Sequence, residues 1–145
     1  MSNYDTDFYA WAQAQAAALR AKDWAALDRE HLAEEVEELR KTERRGVHSQ
    51  LRLILTHLLK WVAQPDKRTE SWRSTIANGR VLVQEALEDI PSLARELPAL
   101  HTSAYSRARR DAAKDTGIPL ATFPEPCPWT AEQVLDADFW PEEAR

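Results

Sequence analysis

The segment from Asp28 to Gln64 runs for thirty-seven residues without a proline, and Pro65 closes it. Its apolar residues recur at helical spacing. Advancing 100° per residue places Leu32, Val36, Leu39, Val47, Ile54, Leu58 and Trp61 within about 80° of one direction. A helix of that length would span about 55 Å at 1.5 Å per residue, which is long for a small protein. Gly46 is the natural weak point, and a kink or break is expected near Arg44–His48. Glu43, Gln50 and His57 fall inside the same stripe, seven residues apart. Leaving a buried polar group unsatisfied costs about 1–3 kcal/mol, so such a seam is either a satisfied structural network or the lining of a site. Helix rise separates these three residues by about 10 Å each, so no two can hold one ligand on a straight helix. Each needs a partner from another helix, and Arg73, Arg80 and Tyr105 are candidates.

Other stretches carry the same period. Asp5-Thr6-Asp7 offers an N-cap, and Phe8, Trp11, Ala12, Gln15 and Leu19 follow at helical spacing to about Arg20. Asp23 can cap a short turn through Leu27. Beyond the Pro65-Asp66-Lys67-Arg68 turn, Thr69 or Ser71 can start a helix carrying Trp72, Ile76, Gly79, Val83, Ala86 and Ile90. Gly79 in that stripe would let a neighbouring helix approach closely. Leu93, Leu97, Leu100, Ala104, Ala108 and Ala112 mark the last long helix, with Pro98 at its start or in a kink, and Gly117 is its stop. Pro119, Pro124, Pro126 and Pro128 then forbid a regular helix. Leu120, Phe123 and Trp129 are apolar enough to strap this segment across the other helices. Thr130-Ala131-Glu132-Gln133 matches a capping box, with Trp129 and Val134 at the staple positions. Phe139-Trp140-Pro141 reads as a last anchor. The expected fold is therefore all-α: a single domain over residues 1–145, built as a bundle of about four main helices. The second helix is long, and residues 118–145 form a proline-rich strap with a short helix.

Three glycines and no long strand-like alternation fit that class. The six tryptophans are spread along the whole chain, so they tie a core together rather than form one aromatic site. Cys127 is the only cysteine, which forbids an intrachain disulfide and fits a reducing cytoplasm. No basic-then-apolar leader and no run of about 18 apolar residues is present, so neither export nor a membrane span is expected. The net charge of −5 hides a segregation. Residues 28–43 carry seven acids against three bases, residues 44–80 eight bases against two acids, and residues 81–145 twelve acids against six bases. Either the basic middle pairs with its acidic flanks, or it presents an anion-binding face.

Catalytic and metal patterns are weak. His31 with Glu34 or Glu35 shares a helical face, but a di-metal bundle needs contributions from four helices, and here there is one pair in reversed order. No metal and no cofactor is expected. Cys127 sits between prolines with no helix N-terminus to activate it. No nucleophile elbow or glycine-rich phosphate loop occurs. Lys60, Lys67, Arg68 and Arg73 with Trp61 and Trp72 have the look of a basic-aromatic nucleic-acid patch, against which the acidic whole argues.

Several stretches combine into a family pattern: Tyr4-Asp5-Thr6-Asp7-Phe8-Tyr9-Ala10-Trp11, Glu34-Glu35-Val36-Glu37 with Glu43-Arg44-Arg45, His57-Leu58-Leu59-Lys60-Trp61, Ser71-Trp72-Arg73, and Phe123-Pro124-Glu125-Pro126-Cys127-Pro128-Trp129-Thr130. The chain resembles, from about Tyr4 to Pro141, the bacterial family named domain of unknown function 29. The resemblance implies a small all-helical bacterial protein and no assigned activity. Its motifs fall on Glu35, Glu43, His57, Trp61, Trp72 and Arg73, overlapping the polar seam. The leading expectation is a non-catalytic cytoplasmic interaction or regulatory module with a protein partner, and a homo-oligomer is compatible with it. The alternative is an enzyme or a small-ligand or anion-binding protein, with ligand-binding residues Glu43, His57, Lys60, Trp61, Trp72 and Arg73. A third reading is nucleic-acid association by the face around Lys60, Lys67, Arg68 and Arg73.

Overall fold

The computed structural model describes residues 3–141, and among them the regular structure is entirely helical, with no strand. The helices are α1 (Phe8–Ala21), α2 (Arg29–Ala63), α3 (Glu70–Asp89), α4 (Pro91–Ala94), α5 (Leu97–Thr116) and α6 (Ala131–Leu135), with 3-10 turns at Trp24–Ala26, Pro65–Lys67 and Leu120–Thr122. The chain divides into two compact units, Met1–Glu43 and Arg44–Arg145.

The first unit is tied by polar groups around two aromatic rings. Asp7 caps α1 by accepting the Ala10 N–H at 3.0 Å. Trp11 is buried, and its indole N–H donates to Asp28 at 3.0 Å. Gln15 accepts the Asp28 N–H at 2.8 Å and donates to the Ala26 carbonyl at 3.3 Å, which fixes the turn between the helices. Asp28 then starts α2, accepting the His31 N–H at 3.4 Å and lying 2.6 Å from His31 Nδ1. That carboxylate holds the His31 imidazole above its ordinary pKa. Tyr4 stacks on His31 with ring centres 3.8 Å apart, and its hydroxyl donates to Glu35. This bond pushes the Tyr4 pKa up to about 12.

The knot reaches only the first two turns of α2. The buried residues of this unit, Trp11, Gln15 and Ala18, all lie on α1. Val36 and Leu39 are 64% and 69% exposed, so the apolar stripe read as continuous along α2 is packed only from Val47 onward. Glu43, expected inside a buried seam, is exposed.

In the second unit α2 is the central element. Leu51, Ile54, Leu55 and Leu58 are fully buried in one cluster with Ile76 and Val83 of α3 and Leu100, Ala104, Ala108 and Ala112 of α5. Thr69 caps α3 by accepting the Trp72 N–H at 3.1 Å. Gly79 lets α3 approach α2: a Cβ there would stand 2.7 Å from Ile54 Cγ1. Gly117, at φ 75°, takes the left-handed conformation that ends α5. The strap that follows buries Phe123, while Leu120 stays 41% exposed and anchors less than its apolar character suggested. Thr130 and Gln133 form the capping box of α6, with bonds of 3.1 and 2.9 Å. Arg80 reaches from α3 to the strap's end, donating to the carbonyls of Val134 and Phe139 at 2.8 Å each.

The basic row of α2 meets acids at the N-cap of α5 and along that helix. Arg44 pairs with Glu96 at 2.7 Å, Arg52 grips Asp111 with two bonds, and Lys60 lies 3.6 Å from Asp115. Internal pairing therefore accounts for part of the charge segregation.

The expected break at Gly46 is absent: α2 is a single helix from Arg29 to Ala63. Glycine lowers helix stability by about 1 kcal/mol relative to alanine, and the thirty-five-residue helix, packed from Val47, accommodates that cost. Nothing lies within 4 Å of a Cβ added at Gly46. Gly46→Ala should therefore raise stability by about 0.5–1 kcal/mol. Gly79→Ala should lower it by about 1–3 kcal/mol, because the helices must separate. Urea unfolding of both variants checks the opposite signs.

Candidate functional site

Lys60 and Trp61 close α2, and Trp72 and Arg73 open α3 one turn later, so the short Pro65–Lys67 turn brings them to one place. The Arg73 guanidinium lies 5.0 Å from the Trp61 ring and 4.6 Å from the Trp140 ring, and those two rings are 4.8 Å apart. Arg68 lies 4.8 Å from the Trp61 ring and donates to the Trp61 carbonyl at 2.8 Å. Lys60 sits 5.0 Å over Trp72, and His57 meets the same ring edge-on at 6.4 Å. His57 Nδ1–H donates to the Leu53 carbonyl at 2.9 Å, and burial lowers its pKa, so the ring is neutral at pH 7. Exposed cation–π contacts contribute about 0.5–1 kcal/mol each.

Five of the six candidate residues, His57, Lys60, Trp61, Trp72 and Arg73, thus share a cation–aromatic cluster. Glu43, the sixth, is an exposed residue of the first unit. Arg80, offered as a partner for the seam, instead holds the backbone of the strap, with its guanidinium 5.2 Å from the Trp140 ring. Trp61 Nε1 and Arg80 Nη1 are buried donors without partners among the described residues.

A second feature of this unit escaped the sequence reading. A cavity of about 360 Å³ lies beside α5 and is lined by His101, Tyr105, Arg109 and Arg110 of that helix and by Glu125 and Cys127 of the strap. His101, Tyr105 and Arg109 stand four residues apart and form one ridge. The Tyr105 hydroxyl donates to the Pro124 carbonyl. Arg109 donates to the Phe123 carbonyl at 3.0 Å and lies 3.2 Å from Glu125. Burial pushes the Cys127 thiol up to about 11 and Tyr105 up to about 12, so both are neutral at pH 7. Burial also lowers the pKa of His101, whose Nε2 is buried without a partner among the described residues. The four-residue spacing was visible in the sequence, but only the path of the strap turns that ridge into a cavity wall.

The first unit carries a third feature. Val36 and Leu39 lie exposed among Glu34, Glu37 and Glu38, and Glu37 pairs along the helix with Arg40 at 2.9 Å and Glu38 with Lys41 at 3.9 Å. Among the described residues no three histidine, cysteine or acidic side chains are grouped to hold a metal ion. No described helix is long and apolar enough to cross a membrane.

The sequence model of one family, domain of unknown function DUF29, matches residues 3–140. The chain belongs to that family. The match takes in every feature above: the aromatic knot, the cation–aromatic cluster and the α5 cavity of this DUF29 protein all lie within it. No curated protein and no solved structure matches the chain.

Arg52, hydrogen-bonded to Asp111, holds that carboxyl below the usual carboxylate range. An unfolded aspartate titrates near pH 3.9. The folded pKa is lower, so the pair's contribution is complete above about pH 5 and is lost as pH falls through the unfolded and then the folded value. The side chains are 41% and 33% exposed, and solvent limits the pair to about 1 kcal/mol or less. Asp111→Asn should lower stability at pH 7 by no more than that amount, and the difference from wild type should shrink as pH falls below about 4. Urea unfolding across that range measures it.

Proposed function

We propose that this DUF29 protein is a non-catalytic interaction module that lays the first half of α2 into an apolar groove with a basic rim on a partner protein. The carrying observation is the exposure of Val36 and Leu39, 64% and 69%, on a helix whose other half is packed. Leu32, Val36 and Leu39 follow the four-then-three spacing with which a docking helix anchors in a groove. Residues 28–43 carry seven acids against three bases, which asks for cations around that groove. A second copy would set the same acidic face against itself, and like charges oppose that pairing. The reading places the protein in the bacterial cytoplasm, where the free Cys127 stays reduced.

Replacing both anchors, Val36→Ser with Leu39→Ser, should leave the melting temperature within a few degrees and weaken partner retention at least about tenfold. Retention by the wild type should also fall as salt rises from about 50 to 500 mM, because the rim charges are screened. Affinity capture with both chains measures this. Equal retention by the double variant would refute the reading. A wild-type dimer in sedimentation that the double variant abolishes would replace the partner with a second copy.

A further inference from the structure

We propose that a second cavity, between the end of α2 and the strap, binds a small uncharged molecule that is mostly hydrocarbon. This site goes beyond the docking of α2, and none of its wall residues belongs to the docking face.

The cavity measures about 340 Å³. Leu59, Val62 and Ala63 form one side, from the last turns of α2. Phe123 and Trp129 bring two rings from the strap, and Pro124, Pro128 and Pro141 bring three pyrrolidines. All of these residues lie in the second unit. The described wall holds no charged side chain, and its polar side-chain groups are the Thr122 hydroxyl and the Trp129 indole N–H.

Much of the wall's backbone is engaged elsewhere. Proline has no N–H to offer. The N–H groups of Thr122 and Phe123 are bonded to the Pro119 and Leu120 carbonyls at 2.9 and 3.1 Å. The Phe123 carbonyl accepts from Arg109 at 3.0 Å, and the Pro124 carbonyl accepts the Tyr105 hydroxyl. These bonds fix the strap and take up polar atoms that a water in the cavity would need. A buried water makes about two to four hydrogen bonds, so water fills this space poorly.

The wall chemistry sets the ligand. A charged group entering the cavity would lose hydration and meet no opposite charge on the described wall. The last four residues of the chain, Glu142-Glu143-Ala144-Arg145, are charged at three positions and offer no apolar side chain larger than a methyl. An uncharged apolar molecule gains in proportion to the area it removes from water. An apolar cavity of about 150 Å³ takes up benzene. A cavity of about 340 Å³ has room for a larger ring system. The rings of Phe123 and Trp129 supply the faces and edges against which an aromatic ligand packs.

The test titrates the full-length protein, ¹³C-labelled at its methyl groups, with indole, indole-3-acetate and 1-octanol, following the Leu59, Val62 and Ala63 methyls by NMR. Indole should shift them saturably, with a dissociation constant of about 1 mM or tighter. Indole-3-acetate, the same ring carrying a carboxylate, should bind at least about tenfold more weakly. Indole binding more tightly than 1-octanol identifies a ring as the ligand class; the reverse order identifies an alkyl chain. Val62→Phe fills the cavity from α2, and Thr122→Phe fills it from an exposed position on the strap. Both variants should keep their melting temperature within a few degrees and lose at least about tenfold in indole affinity. The absence of a saturable shift would overturn the proposal. So would equal binding of indole and indole-3-acetate, or wild-type affinity in both variants. A wild-type dimer in sedimentation that indole dissociates would also overturn it, by giving the cavity to a side chain of a second copy. Loss of partner retention in the α2 variants leaves all of these results unchanged.

Discussion

The C-terminal unit depends on one buried cation. Arg80 is 2% exposed, and its guanidinium donates to the carbonyls of Val134 and Phe139 while lying against the Trp140 ring. Removing an arginine from water is costly, and burial accordingly lowers its pKa. Carbonyl acceptors and an aromatic face offset that cost, and in return a segment rich in proline gains a fixed attachment to α3. Gln84, one turn further along α3, donates to the Leu135 carbonyl at 2.7 Å and repeats the attachment. Phe123, Trp129 and Trp140 can then take their places around the core, and the cavity beside α5 acquires its second wall.

The two parts of α2 show how one helix serves two ends. From Val47 onward it is the spine of a core in which Gly79, Ala104, Ala108 and Ala112 keep the helices close. Before that it is held at its first turns by Asp28, His31 and Glu35, and it leaves Val36 and Leu39 in solvent. An exposed apolar pair on an acidic helix adds little to folding, and the proposed docking rests on it. The cation–aromatic cluster at the other end of α2 looks like a binding patch in sequence. In space its cations also meet rings, the Trp61 carbonyl and Asp115.

Local rules made much of the fold legible. Asp7, Thr69, Thr130 with Gln133, and Gly117 each cap or stop a helix where a short-range hydrogen bond or a left-handed residue requires it. Gly79 was readable as a close approach because its neighbours at helical spacing are apolar. The stripe misled where it was extended upstream, because periodicity records which residues share a face and not whether anything covers that face. Gly46 does not break the helix for a related reason, since a local preference of about 1 kcal/mol is small beside the packing of the residues after it.

The sequence alone determined the helical class, the helix ends, the turn after Pro65 and the joining of His57, Lys60, Trp61, Trp72 and Arg73, since all of these follow from interactions within a few residues or across one short turn. Only the tertiary structure decided that Glu43 is exposed, that Arg80 serves the strap rather than the polar seam, and that His101 and Arg109 share a cavity with Cys127. Those outcomes depend on where distant backbone carbonyls arrive, at Phe123, Val134 and Phe139, and the backbone presents the same acceptor at every residue. No pattern of side chains marks in advance which carbonyl a guanidinium will meet.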